Sequence, residues 1–145
     1  MRGSRPGGRR ARLAAACLLA FAVAGCGARM YPVSGKVTLE DGTPVTKGMV
    51  IFEGGPGPEP VMARGEIRPD GSYQLGTLKP GDGVPLGKYR VHINPMDLSE
   101  VPDEKKNLPF HYKYMKAETS GLEYEVKAGA NEFEIKLERG RKPPR

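Results

Sequence analysis

Residues that support disulfide or metal chemistry are scarce in this chain. Its 145 residues contain no tryptophan, two cysteines and two histidines, His92 and His111. Zinc sites usually need three or four Cys, His or carboxylate ligands, and neither histidine has a second ligand at a metal-type spacing. No apolar run reaches the roughly 20 residues that a membrane-spanning helix needs. The sequence therefore predicts no metal centre and no transmembrane anchor.

The first 25 residues have the anatomy of a signal peptide. Five arginines and no acidic residue precede an apolar stretch of 13 residues, from Leu13 to Gly25. A positive n-region followed by an apolar segment of this length is typical of a secretory signal. We expect residues 1–25 to be removed on export.

The junction at the end of this segment carries a cysteine. Small residues Ala24 and Gly25 precede Cys26, and this junction resembles the bacterial lipobox, in which the peptide is cleaved before a cysteine whose thiol is diacylated. The resemblance implies cleavage between Gly25 and Cys26 and a lipid anchor on Cys26. Removal of Cys17 would leave Cys26 alone, and acylation accounts for a lone exported cysteine. The alternative is an ordinary secretory signal cut near Ala24 or Ala28.

An acylated cysteine would place the protein in the cell envelope, on the exported side of a membrane. Residues 26–30 would be the lipidated N-terminus and a short spacer, and membrane lipid would be its partner. Gly27 follows the cysteine. The acidic retention signal familiar from enteric bacteria is therefore missing, which favours the outer membrane slightly.

The excess of positive charge lies at the two ends of the chain. The whole sequence has a formal net charge of +6, but the segment before Cys26 holds five arginines, and the remainder has 18 basic against 17 acidic residues. Residues 26–138 alone carry 14 basic and 17 acidic residues. A nucleic-acid-binding domain shows a clustered basic face, so nucleic acid is not an expected partner. The basic residues 139–145 are predicted to be a disordered tail, with contact to anionic lipid as the alternative.

Downstream of residue 30, apolar and polar residues alternate in short segments. Alternation with a period of two is typical of strands with one buried face, and no segment here shows a helical period. The apolar members of these segments are Val33, Val37 and Leu39; Ala63 and Ile67; Tyr73 and Leu75; Tyr89, Val91 and Ile93; Leu122, Tyr124 and Val126; and Phe133, Ile135 and Leu137.

Other segments refine this pattern. Met49–Phe52 is wholly apolar and predicts a central strand covered on both faces. Pro69–Ser72 predicts a hairpin turn, and Gly81–Gly83 predicts a turn rather than a calcium loop, since the spaced acidic ligands are missing. Pro95–Ser120 exceeds the usual loop length, so it is either functional or mobile. Seven strands in residues 31–138 predict a single all-β domain, an antiparallel Greek-key sandwich.

Six short motifs in this region occur in a specific order: Val33–Val37, Asp41–Val45, Gly48–Phe52, Pro69–Tyr73, Gly87–Val91 and Thr119–Leu122. Together they resemble the carboxypeptidase regulatory-like, transthyretin-like domain, as found in small lipoproteins of planctomycete-type bacteria. The resemblance covers about residues 31–138. It implies a seven-stranded, prealbumin-like sandwich at the cell envelope, without implying an activity.

Signatures of catalysis are missing from the sequence. One transthyretin-like branch hydrolyses 5-hydroxyisourate with histidines, an arginine and a C-terminal Tyr-Arg-Gly-Ser signature. Leu137–Arg141 does not match that signature, and there is no Gly-x-Ser-x-Gly elbow or Ser/His/Asp constellation. We expect no catalytic residue and no cofactor.

The best candidate for a ligand or partner contact is the segment Phe110, His111, Tyr112, Lys113 and Tyr114. Four rings and a cation in five residues suit stacking on a sugar or on a partner's side chains. The alternative is that Phe110 and Tyr114 pin the long loop to the sandwich. The favoured function is a non-catalytic, lipid-anchored structural or protein-interaction module with an exposed edge strand. Its rival is a carbohydrate- or cell-wall-binding module that uses residues 110–114.

Overall fold

The computed structural model describes residues 28–95 and 108–140, and Gly3 in isolation. The predicted signal segment and Cys26 lie outside the described residues, as do residues 96–107 and 141–145. Within the predicted sandwich domain, the described residues are 31–95 and 108–138.

The described part of the chain is built mostly of short strands. These are β1 (Met30–Tyr31), β2 (Val33–Leu39), β3 (Met49–Gly54), β4 (Val61–Glu66), β5 (Ser72–Gln74), β6 (Val84–Pro85), β7 (Gly87–Asn94), β8 (Leu122–Val126), β9 (Asn131–Glu132) and β10 (Ile135–Leu137). A 3-10 helix (Tyr112–Met115) and the one-turn helix α1 (Ala117–Ser120) lie between β7 and β8. The all-β prediction is confirmed. Among these residues, no helix has the length and apolar character needed to cross a membrane.

The larger sheet is antiparallel, with strand order β4-β3-β7-β8. Its alternating residues turn one apolar face inward: Phe52 of β3 lies opposite Ala63 of β4 and Val91 of β7, and all three side chains are buried. The alternation in the sequence therefore identifies the inner face of this sheet correctly.

The central position of β3 agrees with the prediction from its apolar run. Val50 and Phe52 are buried against the other sheet, whereas Met49 and Ile51 point outward and are half-buried. The expected coverage of both faces is therefore wrong in part, because only one sheet packs on this strand.

The smaller sheet has the order β10-β2-β5, and β9 also pairs with β2. β5 runs antiparallel to β2, but β9 and β10 run parallel to it, with Val33 opposite Asn131 and Val37 opposite Ile135. The expectation of a wholly antiparallel sandwich is wrong at this pairing. β8 ends at the same end of the sandwich where β2 begins. A short turn then brings the chain to β9 beside the start of β2. From there, β9 and β10 run in the same direction as β2.

The turn after β4 does not make the predicted two-stranded hairpin. Asp70 accepts hydrogen bonds at its Oδ1 from the backbone N–H and hydroxyl of Ser72, at 3.0 and 2.6 Å, and Gly71 has a φ of 86°. The turn therefore forms as its residues predict. β4 and β5 nevertheless belong to different sheets, because the chain crosses from one layer to the other here. One backbone bridge joins Arg64 of β4 to Gly76, which follows β5.

The start of the predicted disordered tail is ordered. Arg139 bridges to Phe110 and makes an ion pair with Asp41, and the Gly140 N–H donates to the Pro109 carbonyl at 3.1 Å. The side-chain hydrogen bond from Arg139 is the main cause that lowers the pKa of Asp41 to about 2. The boundary predicted at residue 139 is therefore wrong by at least two residues.

The two sheets enclose one apolar core. Its largest fully buried side chains come from both sheets and from the segment before the 3-10 helix: Tyr73, Tyr89, Phe52 and Phe110. Full burial of an aromatic or aliphatic side chain stabilises a fold by about 1.5–3 kcal/mol relative to exposure. Residues 28–95 and 108–140 contain no cysteine, so this core is what holds their fold together.

The sandwich has two distinct ends. Residues 28–32, 54–60, 83–86 and 127–130 lie at the N-terminal end, where β1 pairs with β6 and where β2 and β7 begin. Residues 40–48, 67–71, 108–121 and 138–140 lie at the far end. β7 has eight residues, so the ends are about 25 Å apart at the usual rise of a strand.

Gly35 in β2 tests the packing of the smaller sheet. A Cβ at this position would lie 2.0 Å from the Phe133 carbonyl oxygen and 2.9 Å from the Tyr73 hydroxyl. We expect Gly35→Ala to lower the free energy of unfolding by about 1–3 kcal/mol or more through overpacking. Gly57→Ala is the matched control, because its Cβ would meet only the Glu59 carbonyl at 3.9 Å. Equal urea midpoints for the two variants would contradict this packing.

Candidate functional site

The aromatic segment 110–114 is held at the far end of the sandwich. Its first part pairs with the chain after β10: Phe110 bridges to Arg139, and the His111 N–H donates to the Glu138 carbonyl at 2.9 Å. His111 then begins the 3-10 helix, its Nδ1 accepting a hydrogen bond from the Lys113 N–H at 3.2 Å. The segment is therefore ordered, although its sequence shows no helical period.

Burial divides the five predicted contact residues. Phe110 and Tyr114 are only 1% and 5% exposed, and the Tyr114 hydroxyl accepts a hydrogen bond from the Glu138 N–H at 3.3 Å. The prediction that these two rings contact a ligand or partner is wrong, because they pack in the core. The alternative interpretation, in which they pin the segment to the sandwich, describes their position.

His111 and Tyr112 remain on the surface. Their rings stack with centroids 4.4 Å apart, and Tyr112 is 63% exposed. Lys113 forms an ion pair with Glu138, and its Nζ lies 4.9 Å from the centre of the Tyr114 ring. The hydrogen bond between the side chains of Lys113 and Glu138 raises the pKa of Lys113 and lowers the pKa of Glu138. Lys113 is thus paired within the protein. The stacked rings of His111 and Tyr112 are the part of the segment that remains accessible to a ligand or partner.

The edge of the larger sheet at β8 is a second candidate site for contact with a partner. The sequence predicts an exposed edge strand but does not indicate which strand it is. β8 pairs with β7 on one side, and no strand in the described part of the chain pairs with its other side. The opposite edge of this sheet, β4, carries a backbone bridge between Arg64 and Gly76. β8 therefore offers unpaired backbone N–H and C=O groups, which can accept a further strand.

Charges of both signs line the sheet beside this edge. Arg90 of β7 lies opposite Glu53 of β3 on one side and Glu123 of β8 on the other, and Lys88 lies opposite Glu125. An open cleft of about 470 Å³ includes all five side chains. This pattern depends on the cross-strand register, so the linear sequence does not show it.

The inner side of the same edge is aromatic. The rings of Tyr124 and Phe133 lie 4.7 Å apart, and both contact Phe52 at centroid distances of 5.9 and 6.2 Å. Tyr124 and Phe133 are half-buried. They close the seam between the two sheets and leave part of their surface beside the open edge.

The two histidines lie in different elements, and residues 28–95 and 108–140 contain no group of three or more His, Cys, Asp or Glu side chains placed to hold a metal ion. His92 lies on the outer face of β7, half-buried, as its place in the alternation predicts. Its Nδ1 is buried and has no hydrogen-bond partner among the described residues. Desolvation lowers the pKa of His92, and the charges of Glu53 and Glu118 oppose this shift.

Comparison with known proteins does not assign the chain. No protein-family model matches it, and searches of curated proteins and of solved structures find no match either.

The lowered pKa of His92 predicts a pH dependence of stability. Below the ordinary histidine pKa of about 6.5, the unfolded state binds a proton that the folded state does not, so stability falls as the pH is lowered. Urea midpoints should drop between about pH 7.5 and about pH 5.5, a window above the carboxylate titrations. His92→Gln should flatten this slope, whereas His111→Gln, the control, should retain it. If the urea midpoint of His92→Gln fell with pH as steeply as that of the wild type, the assignment of this pH dependence to His92 would be contradicted.

Proposed function

We propose that this chain is a lipid-anchored protein of the cell envelope, and that its β-sandwich is a non-catalytic module for contact with other proteins. The observation that carries the anchor is the sequence around Cys26, where an arginine-rich and apolar segment ends in Gly25. The protein-contact role rests on the open edge of β8.

The start of the fold supports a short tether. β1 begins at Met30, four residues after Cys26. A chain of four residues reaches at most about 14 Å. Acyl chains on Cys26 would therefore hold the domain directly against the membrane, rather than at the end of a long linker.

We also propose the transthyretin-like arrangement for the sandwich. Of the ten strands in the described part of the chain, seven have three or more residues, and they divide into three in the smaller sheet and four in the larger one. This division and the order of the motifs support the finer assignment. Strands β1, β6 and β9 have two residues each and are additions to the seven.

A strand that pairs with β8 must match its side chains. Glu123 and Glu125 point outward and are exposed, while Leu122, Tyr124 and Val126 lie on the inner side. Opposite charges on directly paired residues stabilise a sheet, and like charges destabilise it. The edge therefore favours a partner strand with basic residues alternating with apolar ones.

The same charges disfavour pairing between two copies of this chain. An antiparallel pair of β8 strands would bring the glutamates of one copy close to those of the other. Like charges in such positions are destabilising. The partner is therefore a different protein, and the glutamates select against self-association.

One observation supports the rival function. The half-buried His111 stacks on the exposed Tyr112, and the Tyr112 ring offers a flat surface of the kind that packs on a sugar ring. Binding of the purified domain to envelope glycans, with loss of binding in Tyr112→Ala, would establish this function instead. Absence of glycan binding would exclude it.

The anchor predicts where a cysteine variant is found. We expect Cys26→Ala, expressed with its native N-terminal segment in a bacterial host, to move from the membrane to the soluble exported fraction. Cys17→Ala is the matched control and should stay in the membrane fraction, because Cys17 lies in the removed segment. Wild-type protein that is already soluble and free of acyl chains would refute the anchor.

The edge-strand contact predicts a charge preference. A peptide of alternating valine and lysine should bind more tightly than one of alternating valine and glutamate. Two cross-strand charge pairs at about 0.2–1 kcal/mol each give roughly a 2- to 30-fold difference. NMR shifts at Leu122–Val126 report where the peptides bind. The double change Glu123→Lys with Glu125→Lys should reverse the preference, and an unchanged preference would contradict the contact.

A further inference from the structure

The open edge of the larger sheet is shorter than β8 itself. Antiparallel strands exchange hydrogen bonds at every second residue, so alternate residues of an edge strand direct their N–H and C=O groups outward. The Gly55 N–H donates to the Lys88 carbonyl at 3.1 Å, so the even residues of β7 bond to β3 and its odd residues bond to β8. The residues of β8 that lie opposite those odd residues are its even ones. Glu123 and Glu125 therefore direct their backbone groups away from the sheet.

The edge is closed beyond each end of β8. The next odd residue, Lys127, has its N–H and its carbonyl bonded to the Asn131 side chain, at 2.9 and 2.8 Å. At the other end, Gly121 has a φ of 68° and follows helix α1 as its C-cap, so the extended chain begins after it. Among the described residues, no hydrogen bond engages the outward backbone groups of Glu123 and Glu125. The unpaired stretch therefore matches a partner segment of about three residues, two of which hydrogen-bond to it.

The middle of this stretch lies beside the aromatic seam between the sheets. Tyr124, between the two glutamates, is half-buried, and so is Phe133, whose ring is 4.7 Å away. Phe52 and Val91, on the inner side of the same sheet, are fully buried. Residues that face each other across antiparallel strands without exchanging hydrogen bonds hold their side chains closest together. Tyr124 has this position toward an added strand, so a side chain opposite it would pack against the exposed part of the aromatic pair.

The outer face determines the charge of the two flanking positions. The row formed by Glu53, Arg90 and Glu123 alternates in sign across β3, β7 and β8. In the neighbouring row, Glu125 lies opposite Lys88. Opposite charges on directly paired residues stabilise a sheet. A further strand continues both rows favourably with a basic residue opposite each glutamate.

We propose that β8 receives a basic–aromatic–basic segment of another protein, which runs antiparallel to β8 and places its aromatic side chain opposite Tyr124. This inference rests on the edge contact proposed above and defines the partner of that edge. The antiparallel direction continues that of the larger sheet, and antiparallel pairs are slightly more stable per residue than parallel ones. The two basic residues meet Glu123 and Glu125, and the backbone groups of the same glutamates bind the segment.

Two short peptides with blocked ends test the central position. They are Thr-Lys-Phe-Lys-Thr and its matched control Thr-Lys-Ala-Lys-Thr. Each is titrated into the wild-type chain from Cys26, which keeps every described strand, and binding is followed by NMR shifts at Leu122–Val126. An aromatic ring packed on Tyr124 should make the phenylalanine peptide bind about 2- to 10-fold more tightly. Equal affinities of the two peptides would overturn the proposal.

N-methylation of the phenylalanine peptide tests the register. In the proposed pairing, both lysine N–H groups bond to β8, whereas the phenylalanine N–H points away from it. A methyl group on either lysine nitrogen should weaken binding roughly 10-fold or more, because it removes a hydrogen bond and leaves a β8 carbonyl unpaired. The same methyl group on the phenylalanine nitrogen is the control and should leave the affinity nearly unchanged. Any other pattern of losses would contradict this register.

A nitroxide on the first residue of the peptide reports the direction of the segment. Antiparallel pairing places that residue beside Val126, so the amide signals of residues 127–129 should relax several-fold more strongly than that of Gly121. The opposite gradient would overturn the proposed direction.

The peptide of alternating valine and lysine separates failure of this inference from failure of the edge contact. If that peptide shifts the signals of Leu122–Val126 while the affinity does not depend on the central residue, the edge contact stands and this inference fails. If no peptide shifts these signals, both fail.

Discussion

The smaller sheet depends on a close approach, at Gly35, of β2, β5 and the link between β9 and β10. The Tyr73 hydroxyl of β5 donates to the Phe133 carbonyl at 2.7 Å, and a side chain on Gly35 would collide with both groups. Burial raises the pKa of Tyr73, so its hydroxyl stays protonated and keeps its role as donor. A donor or acceptor left unpaired in such a site costs about 1–3 kcal/mol. Through this contact, the last part of the chain is fastened beside β2 and the sandwich is closed.

The direction of residues 131–140 determines where the N-terminal tether and the His111–Tyr112 stack lie. β9 and β10 run parallel to β2, so the chain enters the fold at one end and reaches Gly140 at the other. The tether proposed at Cys26 therefore belongs to the end where β1 pairs with β6. The segment 138–140 orders residues 109–111 at the opposite end and exposes the stack of His111 on Tyr112. One topological feature thus puts the entry of the chain and the His111–Tyr112 stack at opposite ends of the sandwich.

Local alternation predicts most inner faces of the strands, because the period of two is set by the backbone of a single strand. Val37, Ala63 and Val91 are buried as expected from their positions. The partner of each strand is decided by contacts distant in sequence. The parallel return of β10 and the change of sheet between β4 and β5 were therefore predicted wrongly.

The candidate site was predicted less well than the fold, for a related reason. The five residues 110–114 form one cluster in the sequence, but the 3-10 helix turns Tyr114 inward and Tyr112 outward. The rows of opposite charge beside β8 arise from the register of three strands. The anchor is different, because its signal lies in consecutive residues. The sequence that ends in Gly25 and Cys26 therefore supports the proposed lipid anchor independently of any tertiary contact.

The central claim is that the mature protein begins at a lipid-bearing Cys26. Mass spectrometry of the protein extracted from the membranes of its source cells tests this claim most directly. The account predicts an N-terminal peptide that starts at Cys26 and carries a diacylglyceryl group on the thiol. A mature chain that starts at another residue, with a free thiol at Cys26, would contradict it.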